Sequence, residues 1–268
     1  MSEILTLIKT SSQTLKDAVA NPVPPSAGTD LFQRYMISNM QDGSNKDFDA
    51  IRAHLLTDSK IFVQRAKEAR GDIALNAKNL IHKDGVIMTG GTSRLVWTIL
   101  NAAADDTGSF SVIFVMSEAQ IPHCIRDSLS RLRARNISVV IMPLSNVATI
   151  LHKVTLTMFG ADSITENGGA VSTIGTRNIG LLSNSARKPL YVVAETHKFV
   201  RIFPLRGEDI NGGHDVLNAS HCDSPPKVPG NASGLLDYIP PELIRALITE
   251  KGFLSPNAIG EELIKLWY

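Results

Sequence analysis

Residues 85–100 read GVIMTGGTSRLVWTIL, and they set the architecture of most of the chain. The run at 86–88 is short, apolar and preceded by glycine, which is typical of a buried strand. A Gly90-Gly91 turn follows, and the apolar residues beyond Arg94 are spaced as in a helix, with Thr92 or Ser93 as a candidate N-cap. A strand joined to a helix by a tight turn is the repeating unit of a parallel α/β sheet.

The same alternation continues toward the C-terminus. Apolar runs that are predicted to be strands recur at 112–116, 139–142, 154–159 and 190–194, and segments with helical spacing separate them. Because these runs are apolar throughout, both faces of the sheet should be covered by helices. The pattern predicts a Rossmann-like, doubly wound sheet.

The first part of the chain has helical spacing instead. A second helix is expected to start near Thr29, and a long one from Asp47 to His82 is expected to break near Asp58-Ser59. The predicted fold class is therefore α/β, with an N-terminal helical domain at 1–83 followed by a Rossmann-like parallel-sheet domain at 84–268.

Several connecting segments are predicted from local composition. Residues 41–45, 160–176 and 206–233 are polar and rich in glycine, proline or asparagine, and they are expected to be loops. One further strand is predicted at 199–203. Two closing helices are expected to begin at Pro240-Pro241 and Ser255-Pro256, because proline is favoured in the first turn of a helix.

Composition and charge exclude several classes of protein. The chain has 268 residues with 27 basic and 26 acidic side chains, a balance that argues against direct nucleic-acid binding. It contains no apolar run of about 18 residues, so no membrane span is expected. Cys124 and Cys222 are too few for a disulfide framework or a zinc site, and the N-terminus lacks a secretory signal pattern. The sequence predicts an intracellular, reducing setting, with no metal and no cofactor.

Ligands of an open parallel sheet bind beyond the carboxyl ends of its strands. At 89–94 the glycines permit close approach of a ligand, the helix start presents free N–H groups, and Arg94 can pair with phosphate. An ordinary capped turn remains an alternative for this segment. No complete Gly-x-Gly-x-x-Gly or Walker motif occurs, which argues against nucleotide hydrolysis. Residues 91–95 also half-resemble a nucleophile elbow centred on Ser93, but Leu95 replaces its closing glycine.

Two later strand ends carry further candidate groups. Asp162 follows a predicted buried strand and could act as a general acid or base on a small polyol, or could brace neighbouring loops through hydrogen bonds. His197 and Lys198 follow the predicted strand at 190–194, where they could face a pocket or a partner, or be solvated.

Several motifs occur in an order that closely resembles the alpha, regulatory subunits of eukaryotic translation initiation factor 2B. The resemblance is clear from about Gly85 to Tyr268 and weaker before it, and it implies that related chains begin somewhat further upstream. The matching segments are GAD at 160–162, ENGG at 166–169, IGT at 174–176, KPLYVVAE at 188–195, KFVRIFPL at 198–205, LSP at 254–256, ELIKL at 262–266 and, before the sheet, DLFQR at 30–34.

The wider family resembled here includes isomerases of ribose 1,5-bisphosphate and methylthioribose 1-phosphate. Those enzymes carry a Thr-His-Cys sequence in the first strand–helix loop, where this chain has Thr89-Gly90-Gly91, and an Asp where Asp162 stands. Thr173 also replaces the usual Lys. The resemblance therefore implies no catalytic residue, with isomerase activity or a sugar-phosphate sensor as the alternative. Candidate contacts for a sugar phosphate or nucleotide are Thr92, Ser93, Arg94, Asp162, Asn167, Gly168, Gly175, Thr176 and Lys198.

The resemblance also implies a set of partners in the cytosol. It predicts a homodimer that bridges two halves of a decamer with the beta, delta, gamma and epsilon subunits of the guanine-nucleotide exchange complex. It further predicts contact with the phosphorylated alpha subunit of initiation factor 2. Phosphorylation adds about 1.5 to 2 negative charges, and the helical region supplies cations that could meet them, although a solvated helix face would carry the same residues: Arg34, Lys60, Arg65, Lys67 and Arg70.

Overall fold

The computed structural model describes residues 2–19, 22–41, 48–116, 123–211 and 236–267. In these ranges three helices come first, and strands and helices then alternate. The helices are α1 (Ser2–Asp17), α2 (Val23–Gln41), α3 (Phe48–Lys78), α4 (Arg94–Thr107), α5 (His123–Ala134), α6 (Val147–Ile150), α7 (Thr176–Ser185), α8 (Glu208–Asn211) and α9 (Ile259–Trp267). The strands are β1 (Val86–Gly90), β2 (Ser111–Met116), β3 (Ser138–Pro143), β4 (Leu156–Gly160), β5 (Ser163–Thr165), β6 (Ala170–Thr173), β7 (Leu190–Val193), β8 (Phe199–Val200), β9 (Leu236–Ile239), β10 (Ala246–Thr249) and β11 (Gly252–Leu254).

A seven-stranded sheet forms the centre of the fold, in the order β11-β10-β7-β4-β1-β2-β3. Every pairing in it is parallel except that of β10 with β11. The α/β fold class and the parallel sheet predicted from the sequence are confirmed. The chain moves outward from β1 to β3 and then returns to place β4 on the other side of β1. This reversal is the position at which sheets of this kind open a crevice for a ligand.

Apolar layers cover both faces of the sheet, which explains why its strands are apolar throughout. Met158 and Phe159 are adjacent in β4, fully buried, and belong to opposite layers. The first layer also contains residues of α3, α4 and α5, such as Ile73, Ile99 and Leu129, and the second contains residues of α7 and α9. The sheet is thus enclosed from both sides.

Helix α3 is continuous, so the break predicted near Asp58-Ser59 is wrong. Ile73 lies in the same apolar layer as the sheet, and Phe62 packs against Phe32 of α2 with ring centroids 5.7 Å apart. Tertiary packing along its length outweighs the weak local helix propensity of Asp and Ser. The division of the chain into domains at 83/84 stays a prediction.

The second helix begins earlier than its sequence indicates. Helix α2 starts at Val23, not near Thr29, and takes Pro24 and Pro25 into its first turn. Proline is tolerated there because the first N–H groups of a helix have no partner within the helix. Of the predicted loop at 41–45, Gln41 ends α2 and the rest lies outside the described residues.

The segment 160–176 is not only a loop, as predicted, because it contains strands β5 and β6. These strands pair with β8 and β9 in a second sheet of order β8-β5-β6-β9. Of the strand predicted at 199–203, only Phe199–Val200 forms a strand, which is β8 of this small sheet. The strands were missed because three or four residues carry too little periodicity to be distinguished from a loop.

The predicted helix from Pro240-Pro241 is also wrong. A short 3-10 turn at Pro241–Leu243 leads into β10, in which Leu247 and Ile248 are fully buried, and then into β11. The final helix α9 follows a 3-10 turn that begins at Pro256, close to the predicted start. Of the predicted exposed segment 206–233, α8 is ordered with Ile210 buried, and 212–233 lies outside the described residues.

Replacing Gly71 by alanine is expected to raise the free energy of unfolding by about 0.5 to 1 kcal/mol. Gly71 lies within α3, and no heavy atom lies within 4 Å of the position that a Cβ would take. The added methyl group therefore restricts the unfolded chain without a clash in the helix. Urea denaturation measures the change, and Gly28→Ala in α2, which has the same open surroundings, is the matched comparison. A loss of stability in the Gly71 variant would contradict the packing described for α3.

Candidate functional site

A polar pocket of about 260 Å³ opens where β1 and β4 end, at the reversal of strand order. Three strand-end loops and one helix of the N-terminal region contribute to its walls. The lining residues are Arg70, Gly90, Gly91, Thr92, Ser93, Arg94, Leu95, Gly160, Ala161, Asp162, Ser172, Thr173, Glu195, His197 and Lys198.

The loop after β1 is closely packed against the neighbouring strand ends. A Cβ on Gly160 would lie 1.9 Å from the Oγ atom of Ser93, so the serine side chain rests directly on the last residue of β4. Gly91 has φ +74° in the left-handed region, and a Cβ there would lie 2.6 Å from Thr173 Oγ1. Both positions therefore require glycine in this backbone.

Helix α4 begins at this loop and directs its N-terminus toward the pocket. Ser93 is the N-cap residue with an extended backbone, but its side chain makes no capping hydrogen bond. Arg94, the first helical residue, is exposed. The first N–H groups of a helix lack partners within it and carry partial positive charge. This wall of the pocket suits an anion.

Glu195 is the most buried charged group of the pocket, with 2% of its surface exposed. Its Oε1 atom lies 3.2 Å from Arg70 Nε, and its Oε2 atom lies 2.9 Å from Lys198 Nζ. Lys198 also donates a hydrogen bond of 3.0 Å to the carbonyl oxygen of Ala161. Burial alone would raise the pKa of Glu195, but attraction to Lys198, hydrogen bonds and nearby His197 outweigh the effect of burial. The pKa of Glu195 is therefore lowered. Glu195 is therefore ionised at neutral pH.

Two further groups of the pocket, Asp162 and His197, have pKa values shifted toward their neutral forms. The pKa of Asp162 is raised because the surrounding protein removes water from its carboxylate, although its side chain stays open to the pocket and Lys198 partly offsets the effect. The pKa of His197 is lowered chiefly by burial, with Lys198 and Arg70 acting in the same direction against Glu195 and Glu250. At neutral pH the imidazole is uncharged.

The stability of the protein is expected to fall on acidification in a way that depends on Glu195. A carboxylate whose pKa is lowered on folding stabilises the folded state above its unfolded value of 4.5 and loses this contribution as the pH falls through the folded value. Asp162 acts in the opposite sense, because its raised pKa makes the folded state bind a proton more tightly than the unfolded chain.

Glu195→Gln isolates the contribution of Glu195 from that of Asp162. Urea denaturation at about pH 6 and about pH 3.5 should show a stability difference between the wild type and this variant that shrinks at the lower pH. A difference that stays constant over this range would contradict the ion pairs described for Glu195.

The candidate residues predicted from the sequence fall into two groups. Thr92, Ser93, Arg94, Asp162 and Lys198 line the pocket together. The other four do not line it and have structural roles instead. Asn167 donates to Pro204 O at 3.2 Å and to Tyr238 Oη at 2.8 Å, and Gly168 turns the chain with φ +83°. Gly175 donates its N–H to Asp237 at 2.6 Å, and Thr176 Oγ1 donates to Thr173 O at 2.7 Å.

Sequence reasoning missed two important members of the site. Arg70 was one of five helical cations that could meet a phosphorylated partner or be solvated, but it lines the pocket, and Glu195 was not singled out. They are 125 positions apart, so no local motif indicates that they pair. The spacing of Arg70 on α3 relative to Ile73 and Ala77, which face the sheet, was the one available signal.

The chemistry available in the pocket is that of anion binding. Arg70, Arg94 and Lys198 supply three positive charges, while Glu195 and Asp162 are the lining carboxylates. No cysteine is among the residues that line it in the described part of the chain. The described ranges also contain no group of three or more His, Cys, Asp or Glu side chains that could hold a metal ion, and no helix in them is long and apolar enough to cross a membrane.

Comparison with known proteins identifies a family and several relatives of this chain. A model of the Initiation factor 2 subunit family matches residues 1–256. The alpha subunit of translation initiation factor eIF2B from Dictyostelium discoideum is 34% identical over 251 residues, which cover 90% of this chain and 77% of the relative. The ribose 1,5-bisphosphate isomerase of Pyrococcus furiosus is 26% identical over 218 residues, covering 80% of this chain and 67% of the enzyme.

Solved structures show the same fold. A chain of the tetrameric eIF2B-beta2-delta2 complex from C. thermophilum superposes with a TM-score of 0.81 and 19% identity, covering 99% of this chain and 81% of that one. The eIF2B beta structure from Chaetomium thermophilum gives a TM-score of 0.75 with 18% identity, covering 100% and 77%. These structures share the fold, and the family model together with the alpha-subunit relative shows that the chain belongs to the Initiation factor 2 subunit family, as a translation initiation factor that resembles the eIF2B alpha subunit.

Proposed function

We propose that this chain is a non-catalytic regulatory subunit of the translation initiation factor 2B guanine-nucleotide exchange complex. The observation that carries the proposal is its 34% identity to an eIF2B alpha subunit over 90% of the chain. In this role it forms a homodimer in the cytosol and bridges two halves of a decamer that contains beta, delta, gamma and epsilon subunits. It also helps to recognise the phosphorylated alpha subunit of initiation factor 2.

The geometry of the loop after β1 supports a role without catalysis. A reactive thiol at position 91 would require a Cβ 2.6 Å from Thr173 Oγ1 in a left-handed backbone, which a side chain rarely adopts. The described lining residues include no cysteine beside Asp162, and the second lining carboxylate, Glu195, is held in ion pairs with Arg70 and Lys198. Asp162 alone does not complete the proton transfers of an aldose–ketose isomerisation.

A second role, binding of a sugar phosphate without turnover, is favoured by the charge of the pocket. Arg70, Arg94 and Lys198 surround a space of about 260 Å³ that also contains serine and threonine hydroxyls. Cationic side chains and hydroxyls of this kind suit a phosphate monoester of a small polyol. The similarity to a ribose 1,5-bisphosphate isomerase points to the same ligand class.

The outer surface of α3 supports contact with a phosphorylated partner. Lys60, Arg65 and Lys67 are exposed, whereas Arg34 is half-buried and Arg70 pairs with Glu195. Exposed cations on one helix can form charge-assisted hydrogen bonds with a phosphoserine, which carries about 1.5 to 2 negative charges.

Assembly with sister subunits is the experiment that tests the proposed function. Native mass spectrometry of the chain mixed with beta and delta subunits should show complexes that contain two copies of it. The same mixture without beta and delta should show only the homodimer. A chain that remains apart from both subunits would contradict the regulatory role and leave a ligand sensor as the better description.

An isomerase assay separates the catalytic alternative. Incubation with ribose 1,5-bisphosphate, followed by phosphorus NMR, should show no conversion, because the described pocket lacks a thiol to act with Asp162. The Pyrococcus furiosus isomerase serves as the positive control. Conversion at a rate of about 1 per second or faster, which is ordinary for an enzyme, would overturn the non-catalytic role.

A further inference from the structure

Strand β3 is an edge of the seven-stranded sheet, and half of its backbone polar groups face away from the sheet. Ser111 donates its N–H to Gly85 O on the side of β1, so Val112 and every second residue after it face β3. Val112 lies opposite Val139, and in a parallel ladder the residue opposite a bonded one points outward. The N–H groups of Val139 and Ile141 and the C=O group of Ile141 therefore lack a hydrogen-bond partner among the described residues.

The side chains of β3 are apolar and only partly covered. Val139 and Ile141 pack against the apolar layer that contains residues of α5. Successive side chains of a strand lie on opposite faces, so Val140 lies on the face away from α5, where 48% of its surface is exposed. A strand with free N–H and C=O groups and exposed apolar side chains can accept a further strand from another chain.

One flank of α5 places cations along this free edge. The Nη2 atom of Arg133 donates to the outward-facing Val139 O at 3.3 Å, so the flank that carries Arg133 borders the outer side of β3. Arg126 is exposed and lies seven residues earlier on the same flank, about 10 Å away along the helix axis. Since a helix that connects two parallel strands runs antiparallel to them, Arg126 lies toward Pro143 at the far end of β3.

We propose that the free edge of β3 is a docking site for an extended acidic peptide of a partner protein. The peptide adds a strand to the sheet through hydrogen bonds to Val139 N–H and to both backbone groups of Ile141. Its apolar side chains contact Val140, and its carboxylates on the other face pair with Arg126 and Arg133. Strands β2 and β1 separate β3 from β4, so this surface is distinct from the pocket and does not depend on the ligand proposed for it.

Charge and backbone chemistry favour this occupant over two others. Two copies of the chain paired edge to edge through β3 would bring Arg126 and Arg133 of both copies together, and like charges at an interface are unfavourable. A nucleic acid could pair with the arginines, but its backbone has no N–H group to donate to Ile141 O. An acidic strand satisfies the cations and the free backbone groups together.

Fluorescence anisotropy with a designed peptide tests the docking. The probe is a fluorescein-labelled Glu-Val-Glu-Val-Glu-Val peptide, whose glutamates share one face and span about 13 Å. It should bind the full chain saturably. Lys-Val-Lys-Val-Lys-Val should not bind because its charge is reversed, and Glu-Pro-Glu-Pro-Glu-Pro should not bind because proline has no N–H. Absence of binding by the probe would overturn the proposal, and equal binding of the proline peptide would show that charge acts without an added strand.

Hydrogen exchange followed by NMR locates the contact on β3. At about ten times the dissociation constant of the probe, exchange of the Val139 and Ile141 amides should slow by up to about tenfold. The Val140 amide already faces β2 and should change little. Binding that leaves the Val139 and Ile141 amides unprotected would overturn the addition of a strand.

Two arginines of α5 provide a matched pair of variants. Arg126→Ala should weaken binding of the probe by up to about fivefold, the effect of losing one exposed ion pair. Arg131→Ala should leave binding unchanged, because Arg131 is equally exposed but lies on the other flank of α5. Equal weakening by the two changes would contradict the alignment of the peptide along β3.

Discussion

Replacing Gly168 by alanine is expected to lower the free energy of unfolding by about 3 kcal/mol. Gly168 lies in the turn between β5 and β6 with φ +83°, and a Cβ there would lie 2.2 Å from the carbonyl oxygen of Pro256. The opposing atoms are backbone, so no side chain can move aside. The strain of an alanine at positive φ and the clash of its Cβ both destabilise the folded state. Urea denaturation should measure the sum of these two free energies.

Gly108→Ala is the matched control for this variant. Gly108 has a similar φ of +81° at the end of α4, but no heavy atom lies within 4 Å of the position of its Cβ. The expected loss is about 1 kcal/mol, which isolates the left-handed strain. Equal losses for the two variants would contradict the close contact between the turn and the segment that begins α9.

Lys198→Ala is expected to lower the free energy of unfolding by about 2 kcal/mol. Its ammonium contacts Glu195 and the Ala161 carbonyl, and 28% of its side chain is exposed. Without it, Arg70 remains as the ion-pair partner of the buried carboxylate among the described residues. The pKa of Asp162 should also rise further, because Lys198 is the charge that lowers it. Urea denaturation and NMR titration of the carboxyl groups measure the two effects.

Two further variants show where the loss in Lys198→Ala originates. Lys188→Ala removes a lysine of similar burial whose side chain, among the described residues, makes a single long hydrogen bond of 3.5 Å to His152 O and no ion pair, and it should change stability by less than about 0.5 kcal/mol. Adding Glu195→Gln to Lys198→Ala should cost less than the sum of the two single changes, since the unpaired carboxylate is then absent. Strict additivity would contradict the pairing.

The parallel sheet was predictable from the sequence because its signal is local and repeated. Each of 86–88, 112–116 and 139–142 is an apolar run between polar turns, and a run of this kind has few folded environments other than a covered sheet. The position of the pocket followed from the same pattern, because strand ends of a parallel sheet meet along one edge. Thr92, Ser93, Arg94, Asp162 and Lys198 were found in this way.

The remaining features depend on contacts that are distant in the sequence. Strand β6 pairs with β9 across the segment from Thr173 to Leu236, and β10 is a strand because it pairs with β7 inside the sheet. Arg70 enters the site because α3 packs against the same apolar layer as the strands. The spacing of apolar residues within these segments does not indicate which distant segment they pack against. The helix predicted from Pro240 was wrong for this reason, because the pairing of β10 with β7 determines the structure there and the local proline does not.

The resemblance to initiation factor 2B contributed what the residues alone did not. The charges of the pocket are the basis for the proposed ligand class, a small anion with hydroxyl groups, but they do not name a protein complex. The proposed contact with a phosphorylated partner comes from the family resemblance and involves α3. This helix carries both Arg70 of the pocket and the exposed Lys60, Arg65 and Lys67. The proposed regulatory role and the proposed pocket ligand therefore meet on one helix.

A guanine-nucleotide exchange assay tests the regulatory role most directly. Nucleotide release from initiation factor 2 is followed with a complex of beta, gamma, delta and epsilon subunits, in the presence and absence of this chain, while phosphorylated initiation factor 2 is added. The proposed role requires that the phosphorylated factor inhibits exchange strongly only when this chain is present. Equal inhibition with and without the chain would contradict it.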